Sequence, residues 1–180
     1  MKLKIVKDTN PIMRKKSLPV EMPLSNKDKE TLDAMLEYLK LSQDEEYAKK
    51  HNIQAGVGMA AIQIGLLKRM FVIYYQKEDE VVEYQLVNPT IIETSVKKCA
   101  LEAGEGCLSV PEHHEGLVHR YYKIKMRAYE ALRGEDIIIT ATGYDAIVLQ
   151  HEYDHLEGKF YYDRINPMNP NGKILGEEII

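Results

Sequence analysis

The segment Gln150-His151-Glu152-Tyr153-Asp154-His155-Leu156-Glu157-Gly158 constrains this chain more than any other. It contains H-E-x-x-H, a motif that makes chemical sense on a helix. There, residues four apart share one face, so His151 and His155 can grip a single metal ion. Glu152 lies about 100° round the helix from His151. From there its carboxylate can meet a water on that metal and move its proton. The flanking residues predict such a helix. Thr142 is placed to cap it with Asp145 three residues on, and Gly158 is placed to end it. The plain alternative is two histidines on a charged surface helix.

Two histidines leave a catalytic metal short of a ligand, because such sites use three protein ligands and one open position. The longer motif H-E-x-x-H-x-x-G-x-x-H is nearly present: Gly158 is in place, but Tyr161 stands where the last His belongs. Glu177 and Glu178 follow a tail, Asn166–Gly172, rich in Pro, Asn and Gly, which is a poor setting for a rigid ligand. Cys107, within Glu105-Gly106-Cys107-Leu108-Ser109, is the better candidate. A thiolate beside Gly106 can approach a metal closely, and metal binding deprotonates a thiol. Alone, Cys107 would read as a small buried apolar residue. Cys99 has no such context and reads as structural.

A third segment, Gly56-Val57-Gly58-Met59-Ala60-Ala61-Ile62-Gln63-Ile64-Gly65, is dense in small residues. Its glycine spacing does not match a dinucleotide fingerprint. Small residues let another backbone come near, whether a packed segment or an extended peptide. Gln63 sits in its middle. Its amide either caps a backbone group or donates to a developing oxyanion.

The surrounding pattern predicts an α+β chain. Ser25, with Asp28 three residues later, starts an amphipathic helix carrying Leu32, Met35, Leu36 and Leu39 on one face. The charged stretch Gln43–Asn52 continues or frays it. Phe71–Tyr75 reads as a strand ending at the turn Lys77–Glu80, and Asn88-Pro89 reads as a turn between Val81–Val87 and Ile91–Thr94. Val118, Ile124, Met126 and Ala128 share one face of Leu117–Tyr129, and Arg133-Gly134 turns the chain into Ile137–Ile139. Residues 1–24 are irregular, and no long C-terminal helix is expected. Strands and two helices interleave without regular βαβ alternation, which favours α+β over a doubly wound sheet.

Composition narrows the partners. The 180 residues suit a single domain. With 24 Lys+Arg against 28 Asp+Glu the net charge is −4, which argues against nucleic-acid binding. Two cysteines are too few for a disulfide scaffold. The uncharged stretch Ile53–Leu67 is too short and too polar to span a bilayer. No targeting segment is evident, so a cytoplasmic protein with reduced thiols is expected, with no membrane partner.

Together and in this order, the Gly56–Gly65, Glu105–Ser109 and Gln150–Gly158 segments resemble the three signature motifs of the peptide deformylases. Ile62 departs from the proline or small residue common there, and the interval from Cys107 to Arg120 is one residue longer than in many relatives. The Gln43–Asn52 region and the short tail resemble the subtype of Gram-positive bacteria and mycoplasmas. The resemblance implies antiparallel sheets packed around a central H-E-x-x-H helix, with residues 1–180 forming one catalytic domain. It implies a hydrolase that removes the N-formyl group from N-terminal formylmethionine of nascent chains at the ribosome and releases formate. The metal would be Fe2+, with Zn2+, Ni2+ or Co2+ able to substitute, held by Cys107, His151 and His155. Gln63 and the backbone N–H of Leu108 would stabilise the oxyanion. Glu152 would pass a proton from water to the leaving amine. Val57, Gly58, Tyr144, Ile147 and Val148 would line the methionine pocket, with Gly58 and Gly106 offering backbone hydrogen bonds to the peptide. Glu105 and Arg120 would pair behind Cys107 and fix its thiolate. Two other readings stand beside this one. The first is a zinc metallopeptidase that cuts internal peptide bonds without needing Cys107; the second is a non-catalytic metal-binding or formyl-peptide-binding protein.

Overall fold

Strand Met70–Lys77 is apolar on both faces because a helix covers each of them. A computed structural model describes residues 3–180. The chain forms helices α1 (Asn26–Ser42), α2 (Glu45–His51) and α3 (Gly143–Leu156). Its strands are β1 (Gly58–Ala60), β2 (Met70–Lys77), β3 (Glu80–Thr94), β4 (Lys98–Ala100), β5 (Arg120–Tyr121), β6 (Lys123–Glu130), β7 (Glu135–Thr142) and β8 (Glu178–Ile179). One face of β2 sends Phe71, Ile73 and Tyr75 into a core shared with Ala146, Val148, Leu149 and Leu156 of α3. Its other face sends Met70 and Val72 against Leu32, Met35, Leu36 and Leu39 of α1. A strand covered on both sides loses the polar alternation of a surface strand, hence the unbroken run Met70–Ile73.

The strands make an α+β fold with two sheets. The larger has the order β1-β2-β3-β6-β7 and is antiparallel throughout. The smaller has the order β5-β4-β8, and its β4–β8 pair is parallel. α3 packs against strands of both sheets and is the element they share. The parallel pair corrects the expectation of purely antiparallel sheets and of a loose tail. Residues 178–179 form a strand, and the Ile180 N–H donates to the Ala100 carbonyl at 2.9 Å.

Other local expectations need correction. Gln43–Asn52 does not extend α1. Asp44 caps a separate short helix by accepting from the Tyr47 N–H, and Asn52 closes it in the left-handed region at φ 51°. Asn88-Pro89 is not a turn between two strands. β3 runs through it with a register shift, and Asn88 takes φ 50°. The residue types that make turns also make bulges, because both need an accessible left-handed conformation. Thr142 makes no side-chain capping bond, and Asp145 is used elsewhere. No helix among the described residues is long and apolar enough to cross a membrane.

The Asn88 amide binds the Val20 N–H at 2.8 Å and the Val20 carbonyl at 2.9 Å, pinning the N-terminal segment to the bulge. Asn88→Ala should therefore lower stability by about 2–4 kcal/mol, through two lost hydrogen bonds and a left-handed backbone without its favoured residue. Asn88→Gly should recover about 1 kcal/mol of that loss. Urea midpoints measure both, and equal midpoints for the two variants would remove backbone strain from this account.

Candidate metal centre and its cleft

Helix α3 carries His151, Glu152 and His155 and must stop abruptly after them. Gly158 makes the stop at φ 69°, and a side chain there would strike the backbone of Arg14. Cys107 arrives from the loop after β4. Its ligand atom and those of His151 and His155 all lie within 4.8 Å of one another, and Cys107 Sγ is 3.3 Å from His155 Nε2. Among the described residues this is the one such cluster of three. Burial alone would raise the Cys107 thiol, but the His155 and His151 rings outweigh it and bring it down to about 5. The donor set therefore fits a borderline-to-soft divalent cation: a thiolate-prone sulfur and two imidazoles converge on one point. The Nδ1 of His155 is buried without a partner.

The group behind the ligands is a buried ion network. Arg120 of β5 binds Glu105 in a fork at 2.7 and 2.9 Å and binds Asp154 of α3 at 2.8 Å. Arg164 grips Asp154 from the other side at 2.5 and 2.6 Å. Glu105 Oε2 also accepts from His151 Nδ1 at 2.7 Å, which leaves the Nε2 lone pair of His151 for a metal. Glu105 and Arg120 are paired, and the hydrogen bond from this pair to a ligand goes to His151. Burial opposes ionisation of Glu105; the Arg120 charge prevails and holds the carboxyl at about 2. Asp154 and Arg164 had no local signature beyond an acidic residue inside the motif.

Gln63 has a determinate orientation. Its Oε1 accepts from the Ala60 N–H at 2.8 Å, which only an oxygen can do, so the NH2 end faces the centre. That end lies 3.1 Å from Ser109 Oγ and 3.6 Å from Cys107 Sγ. Glu152 is 4% exposed, and its Oε2 is buried without a partner. Burial pushes its carboxyl up to about 7, and the neighbouring His151 and His155 only partly offset this. Gly58 is required beside it, since a Cβ there would collide with the Glu152 carboxylate.

These groups edge a cleft of about 250 Å3. Val57, Gly58, Gly106, Tyr144, Ile147 and Val148 all line it, with Gln63, Leu108, Cys107, His151 and Glu152. Gln54, Ala55, Leu101 and Gly104 line it too and carried no sequence signal. The Gly56 backbone at the rim is clamped by Ser42 Oγ at 3.1 Å and by the Gln43 amide at 2.8 Å. An N-terminal strap ties the two donor loops together. The Val6 N–H binds the Gln63 carbonyl at 2.8 Å, Lys7 Nζ binds the Leu108 carbonyl at 2.9 Å, and the Asp8 N–H binds the Ser109 carbonyl at 2.9 Å. Tyr161 is no ligand; its hydroxyl accepts from the His114 N–H at 3.1 Å. Glu177 binds His119, and Glu178 pairs with Lys97. Ile62 is fully buried in the core, and burial raises the Cys99 thiol to about 11.

A thiol and two imidazoles converging beside a buried carboxyl, in an open cleft of an α+β fold, are the parts of a metal-dependent hydrolase. The comparisons agree. The family model for polypeptide deformylase matches residues 2–171. A peptide deformylase of Macrococcus caseolyticus is 46% identical over 168 residues, covering 92% of this chain and 91% of that protein. One from Staphylococcus epidermidis has the same identity and coverage. A crystal structure of a probable peptide deformylase from a Synechococcus phage superposes with a TM-score of 0.73 at 33% identity, covering 91% of this chain and 99% of that one. The chain belongs to the polypeptide deformylase family, metal-dependent hydrolases that remove the N-formyl group from nascent polypeptides. That membership favours deformylation over the metallopeptidase and binding-protein readings.

The ion network predicts two separable effects. Glu105→Gln should weaken metal binding about 10–100-fold, read by competition with a chelator. Arg120→Met should cost about 3–5 kcal/mol in urea unfolding, because it leaves Glu105 and Asp154 buried and uncompensated. Unchanged metal affinity in Glu105→Gln would separate Glu105 from the centre.

Proposed function

We propose that this chain removes formate from N-terminal formylmethionine of nascent chains in the cytoplasm, with Fe2+ held by Cys107, His151 and His155. Zn2+, Ni2+ and Co2+ suit the same donors. The observation that carries this is the placement of an oriented amide donor, Gln63, and a buried carboxyl, Glu152, on the cleft that Cys107 and His151 also line, with His155 buried just behind them.

When bound, the cation supplies Lewis acidity that acidifies a water and polarises the formyl carbonyl. The protein's own groups do the rest. The peptide lies as an added strand along β1, an edge strand of the larger sheet, with Gly58 and Gly106 free of side chains that would hold it off. The methionine side chain enters between Val57 on one wall and Tyr144, Ile147 and Val148 on the other. As the formyl oxygen gains charge, the Gln63 amide and the Leu108 N–H donate to it. Glu152, buried beside the ligands, takes a proton from the attacking water and delivers it to the leaving amine. Glu105, anchored by Arg120, keeps the His151 ring aimed throughout. Residues 1–180 act as one catalytic unit in this reading, with no nucleic-acid or membrane partner.

The test is formate release from formyl-Met-Ala-Ser by protein purified without oxygen and loaded with Fe2+ or Ni2+. Rapid release is expected, and no release from metal-loaded protein would reject the function. Glu152→Gln should keep its metal and lose about 10²–10⁴ in kcat. Gln63→Leu should lose about 10²–10³. Cys107→Ser should change metal content or metal preference; unchanged content and turnover would remove Cys107 as a ligand.

A further inference from the structure

The cleft has two walls, and one step of β2 touches both. The first wall is the Gly56–Gly58 backbone. The Tyr74 N–H donates to the Val57 carbonyl at 2.9 Å, and the Tyr74 carbonyl accepts at 2.7 Å from the same Gln43 amide that holds Gly56. The second wall is the start of α3, with Tyr144, Ile147 and Val148. Tyr75, the next residue of β2, reaches across to it. Its hydroxyl donates to Asp145 Oδ1 at 2.6 Å, and its ring meets Tyr144 edge-on with centroids 5.4 Å apart.

Four observations make this contact a prop and not incidental packing. Tyr75 is 5% exposed, so its hydroxyl is a committed donor. Burial beside Asp145 moves its phenol well above the ordinary range, which keeps that proton in place. Asp145 occupies the position of a capping carboxylate, yet its oxygens go to Tyr75 and Lys77 on β2. The Lys77 ammonium is half-exposed, and a pair of that kind contributes little in water, so Tyr75 does the holding. Finally, a second cavity of about 160 Å3 lies behind the α3 wall, lined by Tyr75, Ile139, Ala141, Asp145 and Leu149. Val148 lines both cavities. At Val148 the wall therefore has space on a second side, and packing alone does not fix its distance from Val57.

We propose that the Tyr74-Tyr75 step sets the width of the cleft, with Tyr75 and Asp145 as a positioning pair that holds the Tyr144–Val148 wall. This lets the pocket discriminate a side chain of methionine's size from a bulkier one. The inference rests on the reading that the cleft accepts formyl-Met peptides. Loss of the prop lets the wall retreat toward the second cavity; the narrow substrate then binds less tightly, and the wider one is no longer excluded.

The experiment compares formyl-Met-Ala-Ser with formyl-Phe-Ala-Ser by formate release, using metal-loaded wild type, Tyr75→Leu, Tyr75→Phe, Asp145→Ala and Asp145→Asn. Near-UV circular dichroism checks that each variant is folded. For Tyr75→Leu and Asp145→Ala, KM for the Met peptide should rise about fivefold or more with kcat within about twofold. The Met-over-Phe ratio of kcat/KM should fall about 5–20-fold. Tyr75→Phe should fall less, because its ring remains. Asp145→Asn keeps an oxygen for the Tyr75 hydroxyl and should retain the wild-type ratio. If Tyr75→Leu does not fold, Asp145→Ala at the half-buried end of the pair carries the same comparison. An unchanged ratio, or equal losses on both peptides through kcat alone, would overturn the proposal. A wild-type enzyme that acts on neither peptide would instead remove the function on which it rests.

Discussion

The metal centre depends on one buried guanidinium. Arg120 sits on a two-residue strand with almost no exposure, where an uncompensated charge would cost several kcal/mol. Its position is tolerable because Glu105 and Asp154 meet it from two other elements, the loop after β4 and helix α3. A single charge thus brings together the loop that carries Cys107 and the helix that carries both histidines. It also keeps Glu105 anionic against the penalty of its burial. The orientation of His151 follows from that ionisation, since only a carboxylate accepts its Nδ1 proton so well.

The layering of helices about β2 explains why the cleft lies where it does. Alternate side chains of β2 build two cores, one beneath α1 and one beneath α3. β1 is short and lies at the edge, so its far side remains available at the point where α3 presents the motif. The C-terminal end of α1 then contributes Ser42 and Gln43 to the rim. A helix that reads simply as packing also shapes the site.

Features carried by local spacing were legible in the sequence. His151, Glu152 and His155 declare themselves because helical periodicity turns a four-residue interval into a shared face. Cys107 followed from a missing ligand, and Gln63 from being polar within a small-residue run. The α1 face and the strand Phe71–Tyr75 were legible for the same reason. Asp154, Arg164, Lys7 and Ser42 were not, because each acts through a partner distant in the chain and no local pattern marks such a pairing. Asn88-Pro89 and Thr142 misled for another reason: their residue types suit turns and caps, and tertiary contacts assigned them otherwise. The role of Glu105 was half legible, its ion pair but not its hold on the histidine.

The N-terminal strap bears on how the centre comes into being. Lys7 and Leu108 are separated by 101 positions, and Asp8 to Ser109 spans a similar distance. Contacts of that range form only after much of the intervening chain has been ordered, since the entropy of closing the loop must be met first. Helix α3 brings its two imidazoles together as soon as it forms, and Cys107 needs only the Arg120 network to join them. The alignment of the Gln63 and Leu108 segments thus rests on contacts of longer sequence separation than those that gather the three ligands, so a change that loosens the first residues of the chain reaches the oxyanion donors before it reaches the metal ligands.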